Sequence, residues 1–129
     1  MRQIPALESS SELLLDLYRT VGNFPISQKP VLGNQIINLG NQLSELLIEA
    51  SFSDASQKKE LLSQADVCLQ KLIFFIRFGK DLAIIPFAKY EGFSAKVLGI
   101  GKQIGGWQKW SEKTKSAKEL HLFSQNLKV

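Results

Sequence analysis

The chain has 129 residues, 44% of them hydrophobic and 22% charged, which suits one soluble domain closing a single core. One cysteine, Cys68, and one histidine, His121, exclude an intrachain disulfide and remove most of the parts that zinc or cysteine–histidine catalysis needs. The formal charge of +4 is unevenly placed: residues 1–65 hold five bases and seven acids, net −2, and residues 66–129 hold eleven bases and five acids, net +6. A basic half fits an acidic partner such as nucleic acid, and it also fits a merely solvated surface.

Four helices are expected in chain order. Ser9-Ser10-Ser11-Glu12 reads as a capping box, Ser9 at the cap and Glu12 reaching back. Leu14, Leu17 and Val21 follow as one apolar stripe, and Gly22-Asn23-Phe24-Pro25 ends it, which predicts a helix over 9–22. The second helix is expected over 27–52, with Pro30 tolerated in its first turn. Leu32, Ile36, Leu39, Leu43, Leu46 and Ala50 alternate spacings of four and three, a heptad seam. Asp54 is placed to cap a third helix over 55–79, whose row is Leu62, Ala65, Leu69, Leu72 and Ile76. A short linker leads to Pro86 and a fourth helix over 87–112, with Tyr90, Phe93, Val97, Ile100, Ile104 and Trp107 in register. After Ser111 the chain turns polar and lysine-rich, so residues 114–129 are expected to form a flexible basic tail.

No strand of period two and no internal repeat is present. The pattern predicts an all-α chain, a single domain over 1–129, folded as an antiparallel up-down-up-down four-helix bundle. The N-terminus lacks the apolar run of a signal peptide, and the most apolar stretch, 72–78, is short and interrupted by Arg77. A cytoplasmic protein with no membrane partner is expected.

Side chains outside the core rows carry the functional signals. Phe74 and Phe78 point away from the row of Leu62, Leu69 and Ile76 and lie four apart, so they share an outward face. Either a wide core takes up both rings or, the favoured reading, the exposed pair marks a contact surface for self-association. Gly92, Gly99 and Gly106 are seven apart on the fourth helix, with Gly101 and Gly105 beside them. Each glycine costs a helix interior roughly 1 kcal/mol against alanine, so close helix-to-helix approach is the expected reason for them. A phosphate-cradling loop does not fit, because no strand precedes Gly99-Ile100-Gly101.

Lys102 and Lys109 are seven apart, opposite the core row of the fourth helix; Lys113, Lys115 and Lys118 follow, and Arg77 and Lys80 close the third helix. They form either a phosphate-contacting surface or a solvated face that favours the helix ends. Glu45 and Glu49 lack the Glu-x-x-His partners of a di-iron bundle and are expected to face solvent, with no metal bound. Trp107 belongs to the core row, whereas Trp110 is open to packing or to base stacking. Cys68 reads as a buried small apolar residue. No catalytic constellation appears, so neither an enzyme nor a cofactor is expected.

Several short strings, in order, resemble one family. They are Leu13-Leu14-Leu15, Thr20, Phe24-Pro25-Ile26-Ser27-Gln28-Lys29, Leu32-Gly33 and the segment from Leu43 to Ala50. Leu69-Gln70-Lys71-Leu72, Arg77 and Lys80-Asp81-Leu82 continue the pattern, and Tyr90 with Ile100-Gly101-Lys102-Gln103-Ile104-Gly105-Gly106-Trp107 closes it. Together they are similar to the accessory variability determinant of diversity-generating retroelements. The bundle protein encoded in intervening sequences of ribosomal RNA is a more distant relative.

The resemblance implies a basic pentameric ring of four-helix bundles that binds the retroelement reverse transcriptase and its template RNA or DNA and has no active site. The family's basic positions and the +6 half make Lys29, Arg77, Lys80, Lys102, Lys109 and Lys113 the candidate nucleic-acid contacts. Here Ile26 stands where the family usually has arginine, Lys29 and Lys102 replace common arginines, and Gly99 replaces an acidic residue. Lysine lacks the bidentate grip of arginine on phosphate. A structural or regulatory oligomer with no nucleic-acid role is the other reading.

Overall fold

Heptad periodicity becomes burial. Leu32, Ile36, Leu39, Leu43, Leu46 and Ala50 are all buried, and so are Leu62, Ala65, Leu69, Leu72 and Ile76. Phe93, Val97, Ile100 and Ile104 complete the same apolar cluster, with Tyr90 and Trp107 half-buried at its edges. The computed structural model describes residues 5–127, and side chains as far as Ser111. Among the described residues there are four α-helices and no strand: α1 Pro5–Gly22, α2 Asn34–Phe52, α3 Ala55–Asp81 and α4 Phe87–Leu127. A five-residue π-helix, Lys29–Gly33, precedes α2. Each helix packs on two others, in the order α1–α2–α3–α4–α1, which is consistent with a four-helix bundle; the α2–α3 seam is the most extensive and the α1–α4 seam the thinnest. No helix among the described residues is long and apolar enough to cross a membrane.

The boundaries correct several expectations. The helix reaches back at least to Pro5, so Ser9 and Glu12 lie inside α1 and form no capping box; nearby, Ser10 Oγ donates to the Leu7 carbonyl at 2.9 Å. The buried row of α1 is Ala6, Ser10, Leu13, Leu17 and Thr20, and Leu14 and Val21 flank it half-buried. Residues 26–28 form a turn instead of the start of α2. Pro30 has no N–H, and its ring disfavours helical geometry in Lys29. The segment winds wider, and the Gly33 N–H donates five residues back to the Gln28 carbonyl at 3.0 Å.

Asp54 caps α3 as expected: its carboxylate accepts from the N–H groups of Ser56 and Gln57 at 3.1 and 3.0 Å. The helix runs to Asp81, slightly past the predicted end. Ala83 then turns the chain in the left-handed region at φ 59°, and the N–H groups of Ile84 and Ile85 both donate to the Gly79 carbonyl at 2.9 and 3.1 Å. α4 continues to Leu127, well beyond residue 112. Lys113, His121 and the expected flexibility of 114–129 fall outside the described side chains.

Close helix approach occurs at other glycines than those expected. Gly92, Gly99, Gly101, Gly105 and Gly106 have nothing within 4 Å of the place a β-carbon would take, so no neighbour inside this chain requires them. The tight sites are Gly33, Gly40 and Gly79. At Gly40 the Cδ1 atoms of Leu14 and Leu17 stand 3.0 Å from that place, which lets α1 settle onto α2.

Candidate nucleic-acid interface

Gly79 is where the end of α3 meets the π-helix and the 82–85 connection. With no side chain there, Ile85 Cδ1 and Leu32 Cδ2 stand 2.7 and 3.3 Å from the missing β-carbon. The last turn of α3, the π-helix and the lead into α4 are therefore pressed together. The π-helix that begins at Lys29 therefore packs on the end of α3, where Lys80 follows Gly79 and Arg77 projects from the opposite, exposed side of the helix. Arg77 and Lys29 are exposed. Lys80 is half-buried: its Nζ lies 3.0 Å from Asp81 Oδ1 and 4.7 Å from the centre of the Tyr90 ring. That cation–π contact fixes Lys80 against the first turn of α4.

Two bases that sequence reasoning missed extend this surface. Arg19 closes α1 and Lys89 opens α4, and both are exposed. Their proximity shows at Asp16, whose carboxyl is held below its ordinary value of 3.8. The main cause is the bond donated by Lys96; burial works against it, and the charges of Lys96, Lys89 and Arg19 add to it. Arg19 and Lys89 lie at helix ends flanked by loops, a placement that only the packing of those ends reveals as shared. Ile26, Val31, Leu82 and Phe87 are also exposed on these connecting segments, at 86%, 67%, 50% and 63%. The surface is thus basic and apolar together.

The other candidates lie elsewhere. Lys102 and Lys109 are exposed on α4, two turns apart, whereas Arg77 and Lys80 lie on α3. Trp107 is half-buried with Lys58 Nζ 5.8 Å from its ring centre, and Trp110 is exposed. Phe74 and Phe78 face outward as expected, and Phe74 meets Phe75 edge-on at 5.2 Å. Glu45 and Glu49 are exposed, and no cluster of three metal-ligating side chains occurs among the described residues. Cys68 is buried on α3, its Sγ 3.2 Å from the Leu39 carbonyl, and burial pushes its thiol up.

Among the described residues the chain is all helical with an apolar interior, and its charges lie on the ends and outer faces of the helices. A model of the bAvd-like family matches residues 7–111, and the chain belongs to that family, the accessory variability determinants of diversity-generating retroelements. No curated protein matches the sequence. The match covers the segments from Leu13 to Trp110 that carry the resemblance.

Proposed function

We propose that this chain is a non-enzymatic accessory subunit of a retroelement reverse transcriptase. It binds the transcriptase and its template RNA or DNA during mutagenic copying, as a cytoplasmic homo-oligomer, a pentamer by family likeness. Its helices run alternately up and down; the pairings of Lys58 with Trp107 and of Lys80 with Tyr90 support this for α3 and α4.

The observation that supports the nucleic-acid role is the placement of Arg77 and Lys80 in the final turns of α3 and of Lys29 at the start of the π-helix whose Leu32 packs on Gly79, bases from distant parts of the sequence at one end of the bundle. Arg77 supplies a planar fork for phosphate, and Lys29 and Arg19 add charge without reading base sequence. Lys102 and Lys109 continue the basic surface along α4. Each contact is weak alone, and repetition on several subunits makes them act together on one strand. The test is a fluorescence-anisotropy titration of structured RNA and duplex DNA. Binding at about 50 mM salt that falls steeply towards physiological salt is expected. No binding at low salt would remove the nucleic-acid role and leave the structural or regulatory oligomer.

A further inference from the structure

The thin seam between α1 and α4 leaves an open cleft of about 320 Å³, lined by Asp16, Ala88, Lys89, Gly92, Phe93 and Lys96. Phe93 is buried, Asp16 and Lys96 are half-buried, and Lys89 is exposed. Lys89 and Lys96 are seven apart on α4, so they share one stripe of the helix, roughly 10 Å apart along its axis. Gly92 stands between them on that stripe, and nothing comes within 4 Å of the place its β-carbon would take. The two ammonium groups can therefore close on one small group lodged over bare backbone.

The cleft holds more base than its own carboxylate answers. Asp16 accepts a hydrogen bond from Lys96, and the charges of Lys96, Lys89 and Arg19 all act on it. The lining alone sets two bases against one acid, and Arg19 beside it makes three. Glu12, one turn earlier on α1, and Glu91, next to Gly92, do not line the cleft. Unfilled space flanked by ammonium groups suits a small oxyanion. Such a ligand also supplies a reason for Gly92, whose cost to α4 no neighbour inside this chain explains.

We infer that the α1–α4 cleft is a phosphate subsite, in which Lys89 and Lys96, with Arg19 at its edge, grip one phosphate group over Gly92. The inference rests on the nucleic-acid role proposed above and names one contact of it. A phosphate within the template strand and a free phosphate ion present the same chemistry to the cleft. Asp16 is the competing anion: it holds Lys96 when the cleft is empty and opposes the ligand when it is filled.

The test uses the full chain and two readouts. One is the anisotropy of a labelled single-stranded RNA at about 50 mM salt. The other is thermal melting in sodium phosphate against sodium chloride at matched ionic strength, since a ligand of the folded chain raises its melting temperature. Gly92→Leu fills the cleft and Lys89→Ala removes one grip, so each should weaken RNA binding by up to about fivefold. Asp16→Asn removes the competing anion and should tighten it by about as much. Glu12→Gln removes the same charge outside the cleft and should change affinity much less. Circular dichroism checks the folds. Phosphate that stabilises the native chain but not Gly92→Leu assigns the site to the free ion as well. RNA affinities that shift as expected without such stabilisation assign it to a phosphate within the strand. If Gly92→Leu matches the native chain in both readouts, or Glu12→Gln tightens binding as much as Asp16→Asn, the subsite is overturned, and RNA binding by the native chain still stands. A native chain stabilised by phosphate through Gly92 that binds no RNA keeps the subsite and removes the nucleic-acid role. A native chain that responds to neither overturns both.

Discussion

At Gly79 a methyl group would meet Ile85 Cδ1 at 2.7 Å and Ile85 Cγ1 at 3.1 Å, while at Gly92 and Gly106 it would meet nothing within 4 Å. Alanine at these positions should therefore act with opposite signs. Gly79→Ala crowds the buried Ile85 and should destabilise by about 1–3 kcal/mol. Gly92→Ala and Gly106→Ala remove the glycine cost from α4 and should each stabilise by roughly 1 kcal/mol. Denaturant titration of the variants checks both signs. The cost of five helical glycines was legible in the sequence, since it follows from the residue type. Which glycines meet a neighbour was not legible, because that depends on the faces that α1, α2 and the 82–85 connection turn inward.

Helix by helix, the heptad rows were the readable part. Every apolar position predicted for α2 and α3 is buried, because those rows face neighbours along their whole length. Ends were less readable. A serine-rich string resembles a cap wherever it falls, and Ser9 lies inside a helix that already runs from Pro5. Pro30 was allowed within a first turn, yet it delays α2 until Asn34. The Asp54 cap was legible, since both the residue and the helix start are local. Asp54→Ala should cost about 1 kcal/mol in the same denaturant titration, with α3 fraying at its start.

The thin α1–α4 seam offers a pH test. Lys96 holds the Asp16 carboxyl below its ordinary value, so the contribution is present above that value and is lost as pH falls through the lower folded-state value. Asp16→Asn should lower stability at neutral pH by less than about 1 kcal/mol, because the pair is partly exposed. The difference from the native chain should shrink to nothing in acid, which unfolding curves at several pH values will show. A constant difference at all pH values would mean that packing, not charge, carries the seam.

For the whole molecule, charge and shape combine in a way that neither half of the sequence shows alone. The surplus of base over acid in residues 66–129 was legible by counting. The packing of the π-helix that carries Lys29 on the end of α3 was not, since it depends on Leu32 and Ile85 closing over Gly79. Arg19 and Lys89 were missed for the same reason. The most direct measurement compares the salt dependence of RNA binding for the native chain and for Lys29→Ala/Arg77→Ala/Lys80→Ala. Removing one base from a phosphate should flatten the plot of log affinity against log salt by roughly 0.7–0.9 in each subunit that engages the strand. A clearly shallower slope and weaker binding at about 50 mM salt are expected for the triple variant, with its helical content unchanged. A native chain that binds nothing at that salt, or a triple variant with the native slope, would contradict a phosphate-gripping role for this surface.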